Sequence, residues 1–191
     1  MSARRPRRRD DGRVRLAPLA TFLLALLLAL PGCADSSPSA APRGSRALSA
    51  TVAYAVDGDT LRVRLGDRDL DYVRLVGIDT PEDVKPDTPV ECGGRAAADS
   101  MDRLAPEGAA VRLVLDSVAD EHDRYGRLLA HAFVDGRQLE VVQLRRGWAE
   151  VYRYDGQHFD GLSRFDQAQA SARRAGRGVW GRCGGDFHSS R

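Results

Sequence analysis

Beyond residue 49 the chain is a series of short apolar stretches with partial alternation, cut by Gly and Asp. Residues 50–56, 60–65 and 70–78 are rich in Val, Leu, Thr and Tyr, with Gly58 and Gly66-Asp67 at the breaks. That pattern predicts a three-strand meander. A loop containing Pro and Asp follows to Gly94, and residues 95–104 fit a helix ended by Ala105-Pro106-Glu107-Gly108. Residues 111–115 and 127–134 read as two further strands, with a turn at Asp135-Gly136. Helical spacing returns over 139–146, stopping at Gly147, and over the longer, more polar 161–174, stopping at Gly176. Five strands, an interposed helix and two later helices agree with an α+β fold, a five-stranded β-barrel of the oligonucleotide-binding (OB) type with three helices.

The first 33 residues have a different pattern. Arg4, Arg5, Arg7, Arg8 and Arg9 precede an apolar run over 16–30 that ends at Pro31-Gly32-Cys33-Ala34. A run of this length behind a basic flank reads as a secretory signal rather than a membrane span. Leu30-Pro31-Gly32-Cys33 resembles a bacterial lipobox, in which Cys33 becomes a lipid-bearing N-terminus; cleavage after Ala34, giving a secreted protein, and an uncleaved anchor are the alternatives. The Ser-, Ala- and Pro-rich stretch that follows reads as a tether. The expected division is therefore a signal at 1–33, a flexible linker at 34–49, one domain at 50–184 and a tail at 185–191. Export is expected, with a lipid at Cys33 holding the domain on the outer face of the cytoplasmic membrane, and otherwise secretion.

A chain of 191 residues with 42% hydrophobic residues builds one core and leaves little for a second domain. Of its 29 basic and 27 acidic residues, seven and two precede Cys33, leaving 22 against 25 and a net charge of −3. A broad basic surface is excluded, and attraction for a polyanion must come from a local patch. Cys92 and Cys183 are either joined, as an oxidising compartment permits, or remain two buried thiols. The four histidines lack metal-ligand spacing, and His122 and His131 are expected at the surface or in packing.

The candidate chemistry lies at the strand ends. Arg74 stands in an apolar strand, and Asp79-Thr80-Pro81-Glu82 follows where the proline breaks it. Asp57-Gly58-Asp59-Thr60 lies one hairpin upstream, and Asp123-Arg124-Tyr125-Gly126-Arg127 brings further arginines before another apolar segment. By itself an Asp-Gly pair marks a tight turn, and each arginine is open to an ordinary surface ion pair. Carboxylates facing arginines at one strand edge are, however, what metal-assisted phosphodiester cleavage requires.

In this order, DGDT, R-x4-DTPE, DRYGR and a tyrosine pair before a terminal helix resemble the staphylococcal-nuclease (thermonuclease) family, from about Leu48 to Gly184. The resemblance implies the same OB-type barrel and a Ca²⁺-dependent, sugar-nonspecific nuclease that leaves 3′-phosphate products. It places metal-binding carboxylates at Asp59 and Asp79, a carbonyl ligand at Thr80 and an outer role at Asp57. It further implies that Arg74 and Arg127 grip phosphate, that Glu82 serves as base or water-positioning group, and that Arg124 and Tyr125 contact a terminal phosphate. Tyr152 and Tyr154 alternate with Arg153 and suit a base or sugar. The expected partners are exposed or single-stranded DNA and RNA, and the membrane if Cys33 is lipidated; a monomer is expected. The alternative is a barrel without turnover, capturing nucleic acid or a protein at the cell envelope.

Overall fold

The computed structural model describes residues 46–67, 69–83, 89–117 and 119–190. The leader, Cys33 and most of the tether lie outside the described residues.

Strand β1 (Ala47–Ala55) is central in the sheet. It pairs antiparallel with β2 (Thr60–Arg64) on one side and with β5 (Ala110–Val114) on the other. Strand β2 pairs with β3 (Leu70–Leu75), and β5 with β6 (Leu128–Val134), both antiparallel. A parallel pairing of β3 with β6, Val73 opposite Leu128, closes the barrel. Closure leaves β1, β2 and β3 without an open edge between them and turns alternate residues inward. Leu61, Val63, Val73, Leu75, Val111, Leu113, Ala130 and Ala132 are those inward residues, all buried.

Helix α1 (Gly94–Leu104) contributes Met101 and Leu104 to this core, and Ala97 is buried on the same helical face. Strand β7 (Arg137–Gln138) forms a hairpin with the end of β6 through Asp135 and Gly136, both left-handed. Helices α2 (Leu139–Arg146) and α3 (Leu162–Arg174) pack together, burying Leu139, Leu144, Phe165 and Ala168. A single turn, α4 (Val179–Arg182), ends the helical part.

The third strand is shorter than its apolar run. It ends at Leu75 rather than Ile78, because Gly77 takes φ 80° and the chain turns there. A Cβ at Gly77 would sit 2.4 Å from the ring of Phe159, so only glycine fits. Ile78–Asp79 then forms β4, which leaves the barrel to pair antiparallel with β8 (Glu150–Val151).

The tether ends earlier and the tail is less free than the composition suggests. Strand pairing of Ala47 with Val114 draws residues 47–49 into the barrel. At the other end, Cys92 and Cys183 form a disulfide with Cα atoms 6.0 Å apart. Phe187 is buried against Trp180, and the amide of Cys92 donates to the carbonyl of Ser189. The bridge closes a loop with a sequence separation of 91. Reduction, or Cys92→Ser, should therefore lower stability by about 2–5 kcal/mol. Equal unfolding midpoints with and without reductant would contradict this.

Candidate active site

The site begins at the turn between β1 and β2. The Asp57 carboxylate accepts the Asp59 amide at 2.9 Å, fixing the turn, while Asp59 is only 5% exposed. One Asp59 oxygen accepts the Thr60 hydroxyl; the other accepts the Thr80 amide at 3.0 Å and its hydroxyl at 3.1 Å. Between the two aspartates, a Cβ on Gly58 would lie 2.7 Å from the Thr80 hydroxyl and 2.8 Å from Ala97. This close approach is what brings the DGDT turn and the DTPE segment together.

Arg74 joins them. Its Nη1 donates to the carbonyls of Leu75 and Ile78, both at 2.7 Å, which braces the turn that follows β3. Its Nη2 reaches Asp79 at 2.9 Å, and its Nε lies 3.1 Å from Asp59. Alternation explains the placement, since Val73 and Leu75 point into the barrel and Arg74 points out. Burial works against its charge, but Asp59, Asp79 and Asp57 outweigh that and raise its pKa.

The acidic groups are under strain. Burial, followed by repulsion from Asp59, pushes Asp57 up to about 7. Burial raises Asp79 as well, with Arg74 opposing it and Asp59 adding to it. Negative charge is concentrated here beyond what one guanidinium neutralises.

The DRYGR turn faces this cluster, organised by Asp123, whose carboxylate accepts the amides of Tyr125 and Arg127 and the Arg127 Nε at 2.7 Å. Burial alone would raise Asp123, but these bonds from Arg127 and Tyr125 hold it below the usual carboxylate range. Arg127 is thus held by Nε. Arg124 donates to the Tyr125 hydroxyl at 2.7 Å, and both arginines lie over the Tyr125 ring. Tyr152 and Tyr154 are placed by the loop after β8 and a short 3₁₀ turn over Tyr154–Gly156, not by strand alternation. Asp57, Asp59, Arg74, Asp79, Thr80, Glu82, Arg124, Tyr125, Arg127, Tyr152 and Tyr154 all line one cleft of about 960 Å³. Segments from four separate parts of the chain converge there.

Residues 72–182 match the family "Staphylococcal nuclease homologue". The chain belongs to that family. Among its relatives is the thermonuclease of Staphylococcus hyicus, 34% identical over 131 residues, which cover 68% of this chain and 73% of that protein. Endonuclease YncB of Bacillus subtilis (strain 168) is 32% identical over 140 residues, covering 72% of this chain and 64% of the relative. The SPbeta prophage-derived endonuclease YokF of the same bacterium is 34% identical over 137 residues, 70% of this chain but only 44% of the relative. The matched region therefore spans less than two thirds of one of these endonucleases and less than half of the other.

Within this family member, several residues around the cleft carried no readable signal. The amide of Glu82 donates to Glu91 at 2.7 Å, and the Glu91 amide donates back to the Glu82 carbonyl. His188, brought over by the tail, lies 3.5 Å from Glu91 and Glu150 and 3.7 Å from Asp79. Gln143 on α2 is fully buried and donates to the carbonyls of Gly58 and Ala97, clamping the DGDT turn to α1. His131 is neither at the surface nor an ordinary packing residue. At 3% exposure it sits between Asp116 at 3.1 Å and Glu140 at 2.8 Å.

Whether the cluster suits a metal depends on its donors. Among the described residues no three His, Cys, Asp or Glu side chains form a ready metal-binding group. Asp59, Asp79 and the Thr80 carbonyl nevertheless offer the mixed carboxylate and carbonyl oxygens that hard divalent cations take. Asp57, Asp59 and Asp79 surround the single Arg74 guanidinium, and such a cation would offset the carboxylate charge that Arg74 leaves uncompensated. These donors fit a hard divalent cation.

Proposed function

We propose that the protein is a calcium-dependent nuclease that hydrolyses phosphodiester bonds of DNA and RNA without regard to the sugar. The observation that carries this reading is Arg74, ion-paired with both Asp59 and Asp79, in one cleft with Glu82 and Arg127. Asp59, Asp79 and the Thr80 carbonyl would hold the calcium ion, with Asp57 acting from outside. When bound, calcium supplies charge neutralisation at the phosphate and acidifies a coordinated water.

The remaining work falls to the chain's own groups. Arg127, held to Asp123 through Nε, presents its two terminal nitrogens to the equatorial phosphate oxygens, where charge grows in the transition state, and Arg74 adds the remaining N–H of Nη2. The Glu82 carboxylate takes the proton of the attacking water or holds that water in line. Backbone bonding with Glu91 keeps the Glu82 segment beside the cleft. Arg124 and Tyr125 receive a terminal phosphate, while the exposed faces of Tyr152 and Tyr154 stack on base or sugar. Stacking tolerates any base, consistent with low sequence preference.

End-group analysis tests the reaction. Digests of a single-stranded oligonucleotide in calcium should carry 3′-phosphates and 5′-hydroxyls. Fragments with 5′-phosphates would contradict the proposed bond of cleavage.

We place this activity outside the cytoplasmic membrane, with the domain retained through a lipidated Cys33. The Cys92–Cys183 bridge supports an oxidising compartment. Mass spectrometry of the mature protein should find acylated Cys33; an unmodified N-terminus at Asp35 would mean simple secretion.

A further inference from the structure

From Cys33 onward the chain carries 22 basic and 25 acidic residues, so a polyanion longer than the cleft needs a local basic track. The outer face of β1, β2 and β3 has one. In the barrel's register Tyr54 lies opposite Arg62, and Arg62 opposite Tyr72, giving a row of three across three strands. The Arg62 guanidinium lies 3.9 Å over the Tyr72 ring, and Tyr54 and Tyr72 are 48% and 45% exposed. Arg64, exposed, occupies the next outward row between Thr51 and Leu70. Asp71, which separates Leu70 from Tyr72, pairs instead with the buried Val63 in an inward row. Among the described residues neither Arg62 nor Arg64 forms an ion pair, and no carboxylate stands in these outward rows.

Two features tie this row to the site. The register of β1 shifts between Val52 and Tyr54; continued from Val52 opposite Val63 without the shift, it would put Tyr54 opposite the buried Leu61. The bulge re-aims the tyrosine into the outward row. On β3, Tyr72 and Arg74 are two residues apart and share a face. Val73, next to Tyr72, pairs with Leu128, which Arg127 immediately precedes. The tyrosine and arginine row therefore runs up to the two arginines of the cleft.

We propose that this face is a docking platform for single-stranded nucleic acid beyond the scissile phosphate. Bases stack on Tyr54 and Tyr72, and phosphates lie against Arg62 and Arg64. The proposal rests on the nuclease reading for what occupies the cleft, but its own prediction concerns binding alone. Exposed bases are the form it takes, since a stacked duplex offers no free faces to the tyrosines.

The test is fluorescence anisotropy of the purified full chain in chelator, where turnover plays no part. The probes are a labelled single-stranded oligonucleotide of about 20 nucleotides, longer than the typical site of such a barrel, and a labelled dinucleotide. Tyr54→Leu with Tyr72→Leu keeps apolar cover and removes the aromatic faces. It should weaken the long probe by about tenfold or more, given the usual contribution of one stacked base, and leave the dinucleotide within about twofold. Arg62→Gln with Arg64→Gln should flatten the dependence of the long probe's affinity on salt by up to about two counterions. Unaltered long-probe affinity in both double variants, each melting as the wild type does, would overturn the platform. So would a duplex of the same length that binds as tightly as the single strand. A wild-type protein that binds the long probe through this face yet fails to cut it in calcium would sink the nuclease reading and leave the platform standing.

Discussion

Arg74→Lys and Arg127→Lys should each lower kcat by about 10²-fold or more, the usual cost of losing one preorganised donor to a developing oxyanion. Charge is preserved in both variants, so the loss would measure geometry. Arg74 uses Nε and both terminal nitrogens at once, holding two carbonyls and two carboxylates. An ammonium offers three hydrogens from one point and cannot span those partners. Arg127 is pinned to Asp123 through Nε, an anchor that lysine lacks, so the replacement loses the aim of the charge even where it keeps the charge. Arg103→Lys is the control: Arg103 is exposed on α1 and lies outside the cleft, so its replacement should leave kcat unchanged. Steady-state kinetics of the three purified variants, with melting curves to exclude misfolding, would check this. Wild-type kcat in Arg74→Lys or Arg127→Lys would contradict the phosphate-gripping role.

The second large effect concerns stability and its pH dependence. Burial would lower the pKa of His131, but hydrogen bonds and charge from Asp116 and Glu140 raise it to about 9. A histidine with a raised folded pKa stabilises the fold fully below its unfolded value near 6.5, and that contribution is lost as pH climbs through about 9. Wild-type stability should thus fall by roughly 3 kcal/mol across that window. His131→Phe removes the cation between two buried carboxylates and should lose about 3–5 kcal/mol at pH 6, with the gap to wild type narrowing toward pH 9. The consequence reaches the cleft, because Asp116 also accepts the amides of Ala119 and Asp160, which hold the cleft wall beside Phe159. Denaturant titrations of both proteins at pH 6 and pH 9 would show the effect. A wild-type stability that does not change with pH would contradict the charged triad.

Short-range patterning made the barrel readable. Alternation of Leu61 and Val63, or Val73 and Leu75, records which face of a strand is inward, and glycines after 139–146 and 161–174 record where helices stop. The run to Ile78 misled because apolar character persists through a turn when both sides of it are buried; Gly77 was the one local sign of the break. At the site, motif residues were legible because each provides chemistry at a strand end. Supporting residues were not. Gln143 and Glu140 lie on a helix whose polar positions ordinarily face solvent, and only the packing of α2 against the barrel buries them. His188 depends on a tail held by a disulfide and by Phe187, a placement that no spacing along the chain encodes. The register shift between Val52 and Tyr54 is likewise not encoded by any spacing along the chain.

In the proposed mechanism Asp59, Asp79 and Thr80 form a calcium site serving hydrolysis in the same cleft. Its most direct test is digestion of single-stranded DNA by the purified wild-type protein and by Asp79→Asn, in calcium and then in excess chelator, with folding followed in parallel by circular dichroism. Wild-type cleavage should stop on chelation and resume when calcium is restored, Asp79→Asn should be strongly impaired at any calcium concentration, and both should remain folded throughout. Cleavage that continues unchanged in chelator, or a wild-type rate in Asp79→Asn, would contradict it.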